Sequence, residues 1–416
     1  MGLVKEPGAT STAPGPLAGL KVLDLSRILA GPTATQLLGD LGADVWKIEH
    51  PTGGDDTRGW GPPFLSGRDG EELESAYFLC ANRNKRSVTI DFATPEGQTL
   101  VRRLAAEADV LIHNLKVGGL AKYGLAYADL APSLPRLIYC SISGFGQTGP
   151  RADQAGYDFL IQAMGGIMSL TGPPDGPPSK GGVGVADVMC GMYATVAILA
   201  ALRHRARTGE GQHVDLALFD AQVAWLINGG LNYLTSGERP RRYGNGHPNI
   251  VPYQVFGTAD GHLALAVGND AQFERFCRVA GLDELPEDER FRTNAGRVRN
   301  REALVALLEA RIVTAPTGVW VDRLRAVGVP AGPVNTLDQV FEDPQTVHRE
   351  MRITLAHPRA EDGEVALIGN PLKLSRTPVS YRERPPALGA HTHEVLREVL
   401  GMGEDEVRAL EAKGVC

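Results

Sequence analysis

The sequence has little of what marks a disulfide-bonded, metal-binding or membrane-spanning protein. Five cysteines occur among 416 residues and none forms a CxxC pair, so neither a structural zinc site nor a disulfide framework is predicted. The longest uncharged apolar stretch, Val188 to Leu202, is too short to cross a bilayer. We therefore expect free thiols in a reducing compartment, with no bound metal and no membrane segment, and this favours a cytoplasmic location.

An excess of positive charge is also missing. The chain has 42 Lys and Arg against 49 Asp and Glu, a formal net charge of −7, so no nucleic-acid-binding surface is predicted. A secretory signal is not expected either, because Pro7, Pro14 and Pro16 interrupt a stretch without an apolar core. We expect residues 1–17 to form a flexible tail.

Short apolar segments alternate with helical segments through the first 145 residues. Helix starts are indicated at Pro32 and at Thr94-Pro95-Glu96, where a cap, a proline and an acid follow one another. Strands separated by helices predict a parallel, doubly wound sheet, that is, an α/β fold with a Rossmann-like large domain. The strands are predicted near residues 21–25, 44–49, 86–92, 109–115 and 136–143.

The pattern of predicted secondary structure changes after Gly237. A hairpin pattern with an Asp260-Gly261 turn is followed by helical segments, which predicts a small α+β domain at residues 245–330. Strand-like segments return after Pro333, and a last helix is predicted from His391 to Leu400. The large domain is therefore expected in two parts, 18–235 and 335–416, with the small domain inserted between them.

The first strand-to-helix turn excludes the most familiar function of such a fold. The segment from Asp24 to Pro32 lacks the GxGxxG spacing that lets a backbone approach a pyrophosphate, so a dinucleotide-dependent dehydrogenase is disfavoured. A Walker P-loop, an HExxH motif and a GxSxG elbow are also missing.

Asp187 is the sharpest catalytic candidate. It stands alone before fifteen uncharged residues, at the predicted start of a long helix that ends in arginines and Gly209. One interpretation is that Asp187 only caps this helix. The other is that the helix start holds a carboxylate nucleophile, with Gly184 and Gly191 leaving room for a substrate carbonyl.

Two further groups of residues have both a functional and a structural interpretation. Tyr157 and Asp158 could form a catalytic pair, although a core tyrosine and a helix cap are more common. Lys85, Arg86, Arg58, Lys116 and Lys122 could bind phosphates, or they could form a solvated basic surface.

Several motifs, taken in order, resemble the class III CoA-transferases, the CaiB/BaiF family. The resemblance covers residues 17–400 and rests on Leu29-Ala30-Gly31-Pro32, Gly54-Asp55-Asp56-Thr57-Arg58, Asn82-Arg83-Asn84-Lys85-Arg86-Ser87, Ser143-Gly144-Phe145-Gly146-Gln147-Thr148-Gly149-Pro150, Gly156-Tyr157-Asp158, Ala186-Asp187, Arg207-Thr208-Gly209-Glu210-Gly211-Gln212 and Gly328-Val329-Pro330-Ala331-Gly332-Pro333.

The resemblance implies a mechanism and a set of site residues. Asp187 falls on the family's catalytic aspartate, which forms an aspartyl anhydride and then an aspartyl-CoA thioester. CoA and acyl-CoA are then substrates, a small carboxylic acid is the other substrate, and no cofactor is bound permanently. The resemblance also implies an interlocked homodimer of two ring-like chains. Positions that line the CoA site correspond to His50, Ile90, Asn114, Lys122 and Tyr157.

The residues also suggest candidate oxyanion donors and a substrate preference. The backbone N–H groups near Asp187, and those of Gly144 and Gly146, are candidates for oxyanion stabilisation. Leu29 replaces an active-site glutamine of the oxalate-specific branch, which disfavours oxalate. Stretches such as Gly54 to Arg58 and Asn249 to Gln254 match the branch that uses succinyl-CoA and glutarate.

A dicarboxylate needs a cation for its distal carboxylate, and Arg58 and Arg86 are the candidates, unless both bind CoA phosphates or a carboxylate of the protein.

The α-methylacyl-CoA racemase branch needs a His where this chain has Tyr157, so a two-base shuttle lacks one base. The sequence is also compatible with a non-catalytic CoA-binding module or with a regulatory acid-binding protein.

Overall fold

The computed structural model describes residues 15–416, and residues 1–14 of the predicted tail lie outside them. Within the predicted tail, Leu17 donates its backbone N–H to the Leu41 carbonyl at 3.0 Å. In chain order the strands are β1 (Lys21–Asp24), β2 (Asp44–Glu49), β3 (Phe64–Ser66), β4 (Glu72–Ser75), β5 (Arg86–Thr89), β6 (Val110–His113), β7 (Ile138–Ser143), β8 (His213–Ala217), β9 (Tyr253–Gly257), β10 (His262–Ala266), β11 (Ala331–Pro333), β12 (Arg352–Ala356) and β13 (Glu364–Ile368).

The α-helices range from one-turn segments to a helix of 24 residues. They are α1 (Ala30–Asp40), α2 (Ala76–Leu79), α3 (Pro95–Glu107), α4 (Tyr127–Leu130), α5 (Asp158–Met164), α6 (Ile167–Leu170), α7 (Val185–Thr208), α8 (Leu218–Ala224), α9 (Ile227–Ser236), α10 (Asp270–Ala280), α11 (Asn294–Arg299), α12 (Arg301–Ile312), α13 (Thr317–Ala326), α14 (Leu337–Glu342), α15 (Pro344–His348), α16 (Thr392–Leu400) and α17 (Glu404–Glu411).

Six parallel strands form the central sheet, in the order β5–β2–β1–β6–β7–β8. The chain runs outward from β1 through β2 to β5, returns to the other side of β1 at β6, and then continues to β7 and β8. This doubly wound order confirms the predicted parallel α/β sheet. It also creates a switch point between β1 and β6, where sheets of this kind open a crevice at the carboxyl ends of their strands.

Both faces of the sheet are buried. Successive residues such as Val22 and Leu23 point to opposite faces of the sheet, because side chains alternate along a strand. One face packs against α1, α7 and α8, and the other against α3, α16 and α17. Each buried large apolar side chain contributes about 1.5–3 kcal/mol to folding.

The contacts divide the chain into two compact units. The first comprises the residues up to 166, then 181–227 and 345–416, and it contains the six-stranded sheet. The second comprises residues 167–180 and 228–344. In it, the antiparallel sheet β11–β10–β9 carries a core with α10, α12 and α13, and the predicted hairpin around Asp260-Gly261 is present. The predicted small domain, 245–330, lies within this second unit.

Two long helices expected from the sequence are interrupted. The sequence predicts one helix from Tyr157 to Leu170, and another that follows the strand-like segment 213–219 and runs to about Leu234. The first of these ends at Met164, because the chain turns at Gly166 with a φ of +90°. The helix predicted up to Leu234 is divided into α8 and α9. The hairpin β3–β4 and the helices α14, α15 and α17 were not predicted, since each of these strands and helices has eight residues or fewer.

Helix α7 follows its sequence signals closely. It ends at Thr208, and Gly209 adopts a φ of +82° and donates its N–H to the Arg205 carbonyl, as the glycine and arginines predicted. Within residues 15–416 it is the single unbroken helix that is long and apolar enough to cross a membrane. Half of it is buried inside the fold, and core helices of soluble proteins meet the same criterion, so this is weak evidence for a span.

Candidate active site

The carboxyl ends of four adjacent strands bring most of the predicted CoA-binding residues to one edge of the sheet. His50 follows β2, Ile90 follows β5 and Asn114 follows β6 directly, and the loop 25–29 follows β1. Because parallel strands end at the same edge, residues far apart in the sequence become neighbours there. This edge is where ligands bind in doubly wound sheets.

Asp187 lies in the first turn of α7, but it does not cap the helix. The backbone N–H groups of Ala186 and Asp187 donate instead to Asp158 Oδ1, at 2.8 and 3.3 Å. Gln162 Nε2 donates to the other Asp158 oxygen at 2.7 Å. Within residues 15–416, no side chain or backbone group donates a hydrogen bond to the Asp187 carboxylate. The capping interpretation therefore belongs to Asp158, and the Asp187 carboxylate is left open for chemistry.

The surroundings of Asp187 disfavour its charge. Burial, followed by the negative charge of Asp158, raises the pKa of Asp187 to about 7. A carboxylate that ionises near neutral pH without hydrogen-bond donors is poorly stabilised and correspondingly reactive toward an electrophile.

Tyr77 is a site residue that the sequence analysis missed. Burial, followed by the charge of Asp187, raises the pKa of Tyr77 to about 12, so its hydroxyl stays protonated and can donate a hydrogen bond. The Tyr77 ring packs edge-to-face against Trp60, with ring centroids 5.2 Å apart. Tyr77 stands on the one-turn helix α2, and no spacing in the sequence distinguishes it from a core aromatic residue.

Most of the expected oxyanion donors are already engaged. The N–H groups at the start of α7 bind Asp158, and the Gly146 N–H donates to Ser143 Oγ at 2.9 Å. Gly144 serves a close approach instead, because a Cβ built on it would lie 2.6 Å from Gly156 Cα. The Tyr77 hydroxyl, which lies close enough to Asp187 for the Asp187 charge to raise its pKa, is therefore a hydrogen-bond donor that these contacts do not occupy.

Leu29 closes one side of the Asp187 environment. A Cβ built on Gly184 would lie 3.0 Å from Leu29 Cδ2 and 3.7 Å from the Asp158 carboxyl carbon. Further along α7, a Cβ on Gly191 would lie 2.6 Å from the Ala30 carbonyl oxygen. Glycines therefore let α1 and the start of α7 approach closely, which places the apolar Leu29 beside the start of α7.

The predicted CoA residues differ in what their side chains can do. His50, Lys122 and Tyr157 are exposed, and Lys122 makes no ion pair with any residue of the described part of the chain. Tyr157, at 67% exposure, is not a core tyrosine. Ile90 is fully buried in the core beside the sheet, so only its backbone can reach a ligand in this conformation. Asn114 holds the backbone of Arg27 through two hydrogen bonds, of 2.8 and 2.6 Å.

The two arginines proposed for a distal carboxylate already bind carboxylates of the protein. Arg58 forms a bidentate pair with Glu49, with distances of 2.8 and 2.7 Å. Arg86 is the first residue of β5, so it lies at the amino end of that strand, away from the carboxyl ends where the predicted CoA-binding residues lie. It binds Asp44 and two acidic residues of α16, Glu394 and Glu398. These contacts favour the interpretation in which both arginines pair with carboxylates of the protein.

Lys85 is not a phosphate-binding residue in this structure. Its side chain is fully buried and its ammonium group pairs with Asp24 at 3.3 Å, while donating to Asn82 Oδ1 and the Pro32 carbonyl. The lysine therefore supports the first strand-to-helix turn from beneath. Across residues 15–416 no cluster of three or more His, Cys, Asp or Glu side chains could hold a metal ion.

Comparison with known proteins identifies this arrangement. A family model described as CoA-transferase family III matches residues 17–392. The chain belongs to CoA-transferase family III. It is 52% identical over 391 residues to the succinate–glutarate CoA-transferase of Agrobacterium fabrum, covering 92% of this chain and 96% of that protein. It is 43% identical over 400 residues to the mouse succinyl-CoA:glutarate CoA-transferase, covering 96% and 90%.

A solved structure agrees with the same family. The crystal structure of a CaiB/BaiF family protein from Brucella suis superposes with a TM-score of 0.84 at 52% identity, and covers 93% of this chain and all of that one. The predicted family resemblance and the enzyme class, a CoA-transferase, are both confirmed.

The raised pKa of Asp187 predicts how an Asp187→Asn variant changes stability with pH. The folded carboxyl has a pKa of about 7 against 3.8 for an unperturbed one, so the folded state binds the proton more tightly. Wild-type stability should therefore fall as the pH rises from about 4 to about 7. We expect the variant to have the higher Tm at pH 8, by roughly 2 °C.

Circular dichroism melts from pH 4.5 to 8.5 measure this difference. The Tm gap should widen up to about pH 7 and then stay constant. Asp220→Asn, which changes an exposed acidic residue of α8, is the matched control and should give no such pH-dependent gap. An Asp187→Asn variant that melts at or below the wild-type Tm throughout would contradict the unstabilised carboxylate.

Proposed function

We propose that this protein transfers CoA from an acyl-CoA to a free carboxylate through covalent intermediates on Asp187. The observation that carries the proposal is the half-buried Asp187 carboxylate at the start of a helix that another aspartate caps. This carboxylate has no hydrogen-bond donor among residues 15–416. Family membership supports the same reaction, because the relatives named above are CoA-transferases.

The first half of the proposed reaction loads CoA onto the enzyme. A carboxylate oxygen of Asp187 attacks the thioester carbonyl carbon, the carbon–sulfur bond breaks, and CoA leaves as the thiolate. The thiolate then attacks the aspartyl carbonyl carbon of the mixed anhydride. The donor acid leaves as a carboxylate, and Asp187 carries CoA as a thioester.

The second half runs in the opposite direction. The acceptor carboxylate attacks the aspartyl thioester and expels CoA thiolate, which gives a new aspartyl anhydride. The thiolate attacks the acyl carbonyl of the acceptor, so the new acyl-CoA leaves and the Asp187 carboxylate is restored. No net proton is gained or lost in the cycle.

Neighbouring residues have defined roles in this scheme. The protonated Tyr77 hydroxyl stabilises the oxyanion formed when a carbonyl is attacked. Leu29 and Trp60 present apolar surface that keeps water from the anhydride, which would otherwise hydrolyse. Lys122 and His50, both exposed near the carboxyl ends of the strands, are available to CoA, and Asn114 meets it through the loop that it holds. Ile90 contributes through its backbone, and Tyr157 through its exposed ring.

The covalent scheme predicts a severe and specific effect of Asp187→Ala. Loss of a covalent nucleophile should lower kcat by at least about 10³-fold, which corresponds to about 4 kcal/mol of barrier, while CoA binding measured by calorimetry stays within about threefold. During turnover, hydroxylamine should convert Asp187 to a hydroxamate that peptide mapping detects. Asp220→Ala, the control, should keep normal turnover and normal trapping.

Two results would contradict the covalent scheme. One is a folded Asp187→Ala enzyme with near-normal turnover. The other is hydroxamate formation on a different residue, or none at all, while the wild-type enzyme is turning over acyl-CoA.

For the substrates, we propose succinyl-CoA as donor and glutarate or a similar dicarboxylate as acceptor. The two relatives named above carry these acids in their names, and the chain matches the first at 52% identity over nearly its whole length. Leu29 gives the site an apolar wall where oxalate, with two adjacent carboxylates, finds no polar partner. A formyl-CoA:oxalate-type transfer is therefore the weaker candidate.

The acceptor preference is tested by kcat/KM values for glutarate, succinate, oxalate and butyrate with succinyl-CoA. We expect the kcat/KM for glutarate to exceed that for oxalate and for butyrate by at least tenfold, because oxalate meets the apolar Leu29 wall and butyrate lacks the distal carboxylate that a dicarboxylate site recognises. A preference for oxalate or butyrate would refute the substrates while leaving the transferase class intact. Exchange of the α-hydrogen of a 2-methylacyl-CoA into solvent would instead support the racemase.

We also propose that the protein is a homodimer, interlocked as the family resemblance implies. Helix α7 is apolar around most of its circumference, and the side turned away from α1 leaves Met192, Tyr193, Val196 and Leu199 exposed. A helix that is apolar all round is normally buried, so a second copy of the chain is the expected cover. A cytoplasmic location, which the five free cysteines favour, also remains a prediction.

A charge on this face should prevent two copies from assembling as they fold, because interlocked chains, once formed, cannot simply separate. Val196→Glu puts a carboxylate on the exposed apolar stripe of α7, and we expect sedimentation to change from a dimer to a monomer. Ala106→Glu is the matched control, because it adds the same charge to an exposed site on α3. A wild-type protein that sediments as a monomer at micromolar concentration, or a Val196→Glu variant that remains dimeric, would contradict the proposal.

A further inference from the structure

The loop between β1 and α1 contains a residue in an unfavourable conformation. Ile28 has a φ of +70°, a region that β-branched residues avoid because Cβ crowds the backbone. Such residues persist only where their surroundings fix them, and they occur often at functional sites. The next residue is Leu29, which borders the start of α7 where Asp187 stands.

The first part of the loop is held by neutral and carboxylate side chains. Ser26 donates its backbone N–H to Asp24 Oδ1 at 2.9 Å. Arg27 is held at both backbone groups, since its N–H donates to Asn114 Oδ1 and its carbonyl accepts from Asn114 Nδ2. These bonds cross the switch point between β1 and β6. They fix the peptides before Ile28 but not Ile28 itself.

A buried ion pair holds the two remaining groups. Lys47 Nζ donates to the Ser26 carbonyl at 3.0 Å and to Asp55 Oδ2 at 2.8 Å. Asp55 Oδ1 accepts the backbone N–H of Ile28 at 3.2 Å, and it also accepts both the N–H and the hydroxyl of Thr57. One salt bridge therefore binds the backbone on both sides of Arg27, at the Ser26 carbonyl and at the Ile28 N–H.

Both partners of this pair are charged despite full burial. The side chains of Lys47 and Asp55 have no solvent exposure. Burial alone would raise the pKa of Asp55, but the Lys47 charge and the hydrogen bonds outweigh it and hold that pKa near 2. The pKa of Lys47 is raised, because the carboxylates of Asp55, Asp24 and Glu49 outweigh its burial.

Close packing leaves the loop little room for another path. A Cβ built on Gly31 would lie 2.2 Å from Ser26 Cβ, so the first turn of α1 presses against the loop. A shift of Ile28 would therefore carry Leu29 with it, toward or away from Gly184 and the Asp158 cap.

We propose that the Lys47–Asp55 ion pair is a positioning device that holds Ile28 in its left-handed conformation and thereby sets Leu29 against the acyl group at Asp187. This role rests on the proposed transferase function. Lys47 and Asp55 act through the loop backbone and do not touch the reacting atoms, so they are positioning residues and not catalytic ones.

A double-mutant cycle between Asp55→Asn and Ile28→Gly tests the proposal. Glycine adopts a φ of +70° without strain, so it needs less holding. We expect Asp55→Asn to lower kcat for CoA transfer at least tenfold in the wild-type background, with the KM for acyl-CoA changed less than threefold. In the Ile28→Gly background the same substitution should lower kcat less than threefold.

The control separates positioning from simple loss of stability. Asp40 forms a similarly buried pair with Arg83, with a distance of 2.6 Å, and within the described part of the chain none of its side-chain contacts reaches the loop. Asp40→Asn should lower the Tm comparably and leave kcat within threefold at a temperature where the protein is folded. An equal loss of kcat for Asp55→Asn in both backgrounds, or an Asp40→Asn loss as large as that of Asp55→Asn, overturns the proposal.

Amide hydrogen exchange gives a readout that does not depend on the reaction. In Asp55→Asn, the amides of Arg27 and Ile28 should exchange at least tenfold faster than in wild type, whereas Asp40→Asn should leave them unchanged. Unchanged exchange at Ile28 in Asp55→Asn overturns the positioning role even if the protein proves not to transfer CoA. Absence of transfer in the wild-type enzyme, with faster exchange in the variant, overturns the proposed function alone.

Discussion

The hydrogen bonds between the Asp158 carboxylate and the first backbone N–H groups of α7 are the constraint on which the site depends. A helix start needs an acceptor, and a lone aspartate in its first turn would normally supply one. Here a residue from α5 supplies it from outside, which frees the Asp187 side chain and also adds a negative charge beside it. The same contact therefore opens the nucleophile and raises its pKa.

The rest of the first unit can be understood as support for that contact. Helix α7 lies against α1, and Gly191 allows the two backbones to approach within a distance that any side chain would prevent. Helix α1 is in turn fixed to the sheet through the loop after β1. Local geometry at Asp187 is thus transmitted from the switch point of the sheet through rigid elements, and a flexible loop would not give the same precision.

The sequence predicted the architecture better than the chemistry of individual side chains. Alternating apolar segments and helix-start signals were enough for the parallel sheet, α3, α7 and α16, because those signals are local. The cap supplied by Asp158 could not be foreseen, since it depends on contact between α5 and the start of α7, and Asp158 and Asp187 are 29 residues apart in the sequence. Arg58, Arg86 and Lys85 sit in basic motifs that resemble phosphate sites, yet their carboxylate partners, such as Glu49 and Asp44, are visible only in the fold.

The switch point also explains why the dinucleotide motif is missing from a sheet with this strand order. In a dinucleotide-binding sheet, glycines after β1 let an external pyrophosphate approach the backbone. Here the space beneath the same loop is filled by the chain's own charges, the carboxylates of Asp24 and Asp55 and the ammonium groups of Lys47 and Lys85. An anion bound there would have to displace buried carboxylates, which costs more than leaving each pair intact. The loop after β1 is consequently rigid, and it holds Leu29 beside the start of α7, where Asp187 lies. The position that binds a phosphate in dinucleotide-binding sheets here fixes the residues around the proposed nucleophile.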